Sequence, residues 1–450
     1  MHLCNSLETM MISRARMTAV ATATALALTA GAVVTGAHAV GAHTTAPADS
    51  SATSPAKKPE AGWSAAWAAA PQRPSTGFKP NWSEAGFDNQ TLRQVVRVTE
   101  GGDRARIRLS NRYGASPLRI ESATVARTAD GAEKGAAVEA DSVRRLTFGG
   151  KRSVTIPAGA DLSSDGAGLR LAPMESVTVT LHLSGTTGPA TFHAQSFATS
   201  YRADGDHTTD TGGKAFGETT ESWYYLAGVD VSGGERPARR DGVVLFGDSI
   251  TDGFASTTDE NRRWSDALAE RLAKAGDQRP VLNAGIGGNL VLNDSAWYGE
   301  RSANRFARDA LDLPGVGTVV VLEGVNDIGF YEGDHPTYKP APKVTARQLI
   351  NGHRALIREA RAKGVRIVGA TLLPLGGSDH YGEHSAKVSD AFNTWVRTSG
   401  EYDAYVDFDK ALADPDDPER IAPAYDSGDQ LHPNDAGYRA MARAVDLKSL

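Results

Sequence analysis

Gly242-Val243-Val244-Leu245-Phe246-Gly247-Asp248-Ser249-Ile250-Thr251-Asp252-Gly253 is the stretch whose reading decides the fold. Its four consecutive apolar residues predict a strand buried on both faces, as in a parallel sheet. Gly247 then opens a tight turn that delivers Ser249 to the strand's C-terminal end. In open α/β sheets that end is where ligands bind. Gly, Asp and Ser also favour turns for local reasons, so the serine gains chemical meaning only from what the rest of the chain places beside it.

Downstream of this stretch, strand and helix patterns alternate, which predicts a parallel sheet flanked by helices. Residues 261–275 carry Trp264, Leu268 and Leu272 at helical spacing before Gly276. Val281-Leu282 and Thr318–Leu322 read as strands. A helix is expected over 344–363, with Thr345 and Gln348 as a capping box and Gly364 as its stop. Residues 365–368 read as the next strand, 385–398 as a helix and 404–406 as a last strand. A final helix follows Pro433, capped by Asn434, with Tyr438, Met441 and Val445 facing inward.

Upstream the pattern differs. Residues 61–238 hold short alternating runs separated by Gly and Asp clusters, the signature of a β-sandwich or jelly roll. Its aromatics (Trp63, Trp67, Trp82, Trp223, Tyr224, Tyr225) could form a sugar-binding face or, more commonly for such residues, pack as core. Residues 1–39 read as a secretory signal: Arg14 and Arg16 precede an apolar run from Met17 to Val34 and a small-x-small Ala37-His38-Ala39 site. Residues 40–60 have linker composition, and 239–450 form the second globular unit. The single cysteine, Cys4, falls in the signal, so a mature chain carries no thiol. A formal charge of −6 over 450 residues with no basic run excludes nucleic acid as the main partner. No segment after the signal is suited to stable membrane insertion.

Four loops of the second unit, each following a strand or preceding the last helix, supply different chemical parts. Ser249 brings a hydroxyl. Gly287-Gly288 offers backbone N–H groups without a side chain in the way. Gly324-Val325-Asn326-Asp327 brings a carboxamide, and Asp429-Gln430-Leu431-His432 a carboxylate and an imidazole three residues apart. Ester hydrolysis needs a nucleophile, a base, a group to fix the base's tautomer and donors for the oxyanion.

In this order the blocks resemble those of the SGNH hydrolases, also called the GDSL esterase/lipase family, over residues 242–447. Gly247-Asp248-Ser249-Ile250 matches the first, with Ile250 where the family name has Leu. Asn283 through Asn289 matches the second. The resemblance implies a flavodoxin-like three-layer α/β/α fold and serine hydrolysis with no cofactor or metal. It also implies Ser249, His432 and Asp429 as a triad, with Ser249 N–H, Gly288 N–H and the Asn326 side chain as oxyanion donors. Asp248 and Asp327 read as structural.

Two other motifs carry less. Residues 285–290 lack the third glycine of a dinucleotide loop, Leu290 standing there. His380-Tyr381-Gly382-Glu383-His384 has the spacing of an inverted zinc motif, but Gly382 interrupts the helix that motif requires. Asn289, Trp297, Tyr298 and Tyr331 are the candidate substrate contacts. An aromatic rim on an exported chain favours a small-molecule or polysaccharide ester, above all an acetylated carbohydrate. A lysophospholipase or short-chain lipase is the alternative within the same chemistry, and a catalytically degenerate carbohydrate-binding module the alternative outside it.

Overall fold

The computed structural model describes residues 62–129, 135–233 and 239–450. The expected signal, linker and Cys4 lie outside these residues. Residues 58–450 make one compact unit, in which a β-rich lobe precedes an α/β lobe.

The α/β lobe is built on five parallel strands in the order Val281–Gly285, Gly242–Gly247, Val316–Leu322, Arg366–Ala370, Ala404–Val406. Numbered along the chain this is 2-1-3-4-5, the flavodoxin-like order. Val243, Val244, Leu245 and Phe246 are fully enclosed, as a strand with helices over both faces must be. The helices Trp264–Lys274, Ala346–Ala362, Glu383–Thr398 and Asp435–Ala444 supply the apolar stripes that cover it. Thr345 and Gln348 form the capping box reciprocally, and Asn434 caps the last helix by accepting from Ala436 N and Gly437 N. The sequence pattern did not disclose the helical segment Ser302–Phe306 that continues as a π turn over Ala307–Leu311.

The β-rich lobe is antiparallel. A six-stranded sheet (Glu218–Thr220, Ser200–Asp204, Gln90–Arg97, Ser176–Leu183, Ser122–Arg127, Arg144–Arg145) faces a four-stranded one (Trp63–Ala68, Leu226–Ser232, Arg104–Ser110, Asp161–Ser163). Trp67 meets Trp223 edge-on at 4.8 Å, and Trp82 stacks on Tyr224 at 5.5 Å. Trp67, Trp82, Trp223, Tyr224 and Tyr225 are buried, so these rings pack as core rather than forming a surface for sugar. Trp63, half-buried, lies under the Arg106 guanidinium.

The lobes are joined by hydrogen bonds from backbone and side chain. Ala65 N donates to Pro314 O at 2.9 Å. The Thr99 hydroxyl bonds Val281 at both its N–H and its carbonyl, each at 3.0 Å. Among the described residues no helix is long and apolar enough to cross a membrane.

Candidate active site

Ser249 follows strand 1 of the sheet, the 286–289 turn follows strand 2, and Asn326 follows strand 3. The switch point between strands 1 and 3, where a doubly wound sheet opens a crevice, thus has Ser249 on one side and Asn326 on the other. Asp248 caps the short helix Ser249–Asp252 by accepting from Ile250 N at 3.0 Å, which fixes the backbone at the serine. Ser249 itself is largely buried.

From the loop ahead of the last helix, His432 brings its Nε2 to 2.9 Å from the Ser249 Oγ. The His432 Nδ1 donates to Asp429 Oδ2 at 2.7 Å. Gln430 adopts a left-handed backbone (φ +60°), turning Asp429 back so that its Oδ1 accepts from the N–H groups of Leu431 and His432 at 2.9 and 2.8 Å. Burial alone would raise the Asp429 pKa, but the hydrogen bond and charge of His432 and those two N–H groups hold it well below the usual carboxylate range. Asp429 is therefore anionic at neutral pH and selects the tautomer whose free Nε2 lone pair faces the serine. Phe254 packs on the His432 ring at 4.3 Å, and Tyr438 Oη holds the Phe254 carbonyl at 2.6 Å.

On the other side, Gly288 has φ +73°, and a Cβ there would lie 2.2 Å from the Tyr298 ring. Only glycine lets the Tyr298 ring lie this close to the turn. The Asn326 Nδ2 donates to Asn289 O at 3.0 Å, tying the third block to the second. Asp327 does the same with both oxygens, accepting from Val291 N at 2.8 Å and Leu292 N at 3.0 Å. Burial pushes the Asp248 and Asp327 carboxyls up to about 7, and Glu323 well above its ordinary value.

Arg305, which sequence reasoning missed, is the hub of this region. Its fully enclosed guanidinium donates to Asn289 Oδ1 at 2.8 Å, Ala284 O at 2.7 Å and Gly247 O at 2.8 Å, and faces Glu323 Oε2 at 3.3 Å. It also lies over the Phe246 ring at 3.9 Å. One cation thus ties together the serine strand, the Gly288 turn and the residue ahead of Gly324. The available signal was an arginine at helical spacing with Ser302 and Asp309 in a segment with no strong apolar period.

Of the candidate substrate contacts, Asn289 is fully buried, its Nδ2 donating to Tyr298 O and Glu300 O and its Oδ1 accepting from Arg305. Its amide closes the turn. Tyr298 is buried and Trp297 half-buried in a cluster with Leu290 and Phe330. Tyr331 is 41 % exposed, edge-on to His384 and below the Lys343 ammonium. In the residues with inverted-zinc spacing, the helix begins at Glu383; His384 points to the Val344 carbonyl, while His380 lies beside Asn326.

The β-rich lobe also reaches this site. His193 spans from Ala70 O (Nδ1, 2.9 Å) to Asp252 Oδ1 (Nε2, 3.0 Å), and Asp252 Oδ2 accepts from Gly287 N at 3.1 Å. Burial alone would lower the His193 pKa, but the adjacent Asp252 carboxylate raises it. Phe78 stacks on Tyr298 at 5.9 Å, and Phe197 meets Phe254 edge-on at 6.5 Å.

Residues 245–440 match the model of the GDSL-like Lipase/Acylhydrolase family. The α/β lobe is a domain of that family, and the chain is a carboxylic ester hydrolase. A search of curated proteins returned no match. Solved structures similar to the chain include a GDSL-like lipase from Bacteroides thetaiotaomicron VPI-5482, 16% identical, covering 47% of this chain and 88% of that one with a TM-score of 0.35. Another is the acetyl xylan esterase AlAXEase, 23% identical over 45% of this chain and 96% of its own, TM-score 0.34. Axe2, an acetylxylan esterase from Geobacillus stearothermophilus, is 21% identical over 46% of this chain and 93% of its own, TM-score 0.35.

Proposed function

We propose that the chain is a secreted serine esterase that removes short acyl groups, chiefly acetyl, from carbohydrates through an acyl-serine intermediate. The observation that carries the mechanism is the unbroken chain of contacts from Asp429 through His432 to Ser249, at 2.7 and 2.9 Å. His432 takes the Ser249 proton as Oγ attacks the ester carbonyl. Asp429 stabilises the imidazolium that results. The oxyanion that develops is met by the N–H groups of Ser249 and Gly288 and by the Asn326 amide. His432 then protonates the departing alcohol, and a water deprotonated by the same ring releases the acid from the acyl-serine.

The substrate class rests on the rim. Phe78, Tyr331 and Tyr381 are each about two-fifths exposed (40 %, 41 % and 40 %). Phe78 lies against Gly287, whose Cβ would fall 2.9 Å from its ring. Flat apolar rings with wet edges suit the C–H faces and hydroxyl rims of sugars. Export is supported by the N-terminal charge and hydropathy pattern.

Turnover of p-nitrophenyl acetate with stoichiometric labelling by an organophosphonate tests the mechanism; inertness to both would leave a binding module. Acetylated xylan and lysophosphatidylcholine then separate the substrates. Acetate release supports the carbohydrate reading, and fatty acid release without acetate replaces it with a lysophospholipase.

A further inference from the structure

The site contains a second carboxylate–imidazole pair that the esterase mechanism leaves unused. Asn326 must present Nδ2–H, not Oδ1, to an oxyanion, yet a carboxamide can rotate by half a turn at little steric cost. One Nδ2 hydrogen goes to the Asn289 carbonyl at 3.0 Å. Because that partner is an acceptor, the other amide atom, Oδ1, is the one facing His380 Nε2 at 3.2 Å. Only a protonated Nε2 can bond there. On the far side of the ring, Nδ1 lies 2.7 Å from Asp379 Oδ1.

The ring is fixed in place. His380 is 4 % exposed, and it packs against the short helix that carries Asn326, where a Cβ on Gly329 would strike its Cδ2 at 2.1 Å. Phe330 and His335 pack against it in T-shaped contacts, each with ring centres 5.3 Å away.

We propose that His380, oriented by Asp379, is a positioning residue for the oxyanion hole: its Nε2–H locks the Asn326 amide in the orientation that offers Nδ2–H to the reacting carbonyl oxygen. Donation to Oδ1 also polarises the amide and strengthens its remaining N–H as a donor. Asp379 holds the ring through its other nitrogen, and the His380 hydrogen bond is the main reason the Asp379 carboxyl stands below its ordinary value. The reaction centre is thus flanked by two such pairs. Asp429–His432 moves a proton; Asp379–His380 holds a dipole.

His335, Asp379 and His380 also place one potential ligand atom each within 4.8 Å of one another. Both His380 nitrogens already face Asn326 and Asp379, so a cation could bind His380 only by displacing one of these contacts. The cluster thus supports the amide.

This inference rests on the esterase reading, and the experiment separates the two. Asn326→Ala should lower kcat on p-nitrophenyl acetate by roughly 10²–10³-fold, the usual cost of one oxyanion donor. His380→Leu should lower kcat by a smaller factor, about 10-fold to 10²-fold, with KM within about twofold, because the interaction matters only in the transition state. His380→Gln, which restores a side-chain N–H donor, should recover most of that loss. In the Asn326→Ala background, His380→Leu should cost nothing further. Asp379→Asn, at an exposed position, gives a reduced kcat of the same type and keeps the test open if His380→Leu fails to fold. Unchanged kcat in Asn326→Ala sinks the oxyanion assignment itself. A slowed Asn326→Ala with additive loss from His380→Leu, or with no rescue by Gln, sinks only the role of His380. Dialysis against EDTA should leave kcat unchanged; a loss reversed by zinc would make His380 a metal ligand and overturn the proposal.

Discussion

The α/β lobe and the β-rich lobe meet at the same site but contribute to it differently. The first supplies every group that would touch a reacting atom: Ser249, His432, Gly288 and Asn326. The second supplies none of these, yet its His193 grips Asp252, which holds the Gly287 N–H, and its Phe197 backs Phe254 behind the base. Chemistry resides in one lobe and part of the geometry in the other. A catalytic scaffold can therefore be recognised from its motifs while the residues that keep those motifs in register lie far away in sequence.

The largest test of this division is Ser249→Ala, which should reduce kcat by at least about 10⁴-fold with the fold intact by circular dichroism. Residual turnover near the wild-type rate would move the nucleophile elsewhere. Next is His193→Leu. It leaves the Asp252 carboxylate buried without its partner and should destabilise the chain by about 3–5 kcal/mol, read by urea unfolding. kcat should fall as well, since Asp252, which holds the Gly287 N–H, loses the side chain that fixes it. If both hold at wild-type values, the β-rich lobe is a passive neighbour.

Phe78→Ala should be milder, raising KM for an acetylated oligosaccharide severalfold while leaving KM for p-nitrophenyl acetate and the melting temperature nearly unchanged. Equal effects on both substrates would make Phe78 a wall of the acyl site rather than a sugar platform. The smallest effect is electrostatic and belongs to the α/β lobe alone. Asp248 and Asp327, pushed up to about 7 by burial, bind protons more tightly folded than unfolded. Stability should thus decline as pH rises from about 4, their unfolded value, to 7. Asp429, held low, acts in the opposite sense, its contribution disappearing as pH falls below about 4. Asp327→Asn should flatten the upper slope in urea melts collected across that range.

Much of the catalytic lobe was legible because its signals are local. A parallel strand buried on both faces must be continuously apolar, and Val243–Phe246 is. Asp429 and His432 are three residues apart, so their pairing needs only one loop. The capping box at Thr345 is written in four residues. Arg305 and His380 were not legible, since Arg305 acquires its role through partners 16 to 58 residues away and His380 through the Asn326 amide, 54 residues away. Asn289 sits in a recognisable block, but sequence could not tell an amide facing substrate from one committed to Tyr298, Glu300 and Arg305. In the β-rich lobe short strands were visible and their pairing was not. The six-stranded order joins Gln90–Arg97 to Ser176–Leu183 across about half the length of the lobe, and no short-range pattern encodes that.

The strand that opens the β-rich lobe, Trp63–Ala68, places Ala65 and Ala68 in the hydrophobic core of the α/β lobe. Its hydrogen-bond partner Pro314 is synthesised 249 residues after Ala65, and the Val281 that Thr99 grips 182 residues after Thr99. On the ribosome the early half therefore emerges with a bare apolar seam and an unanswered edge, and it reaches its final form only once the late half has been made.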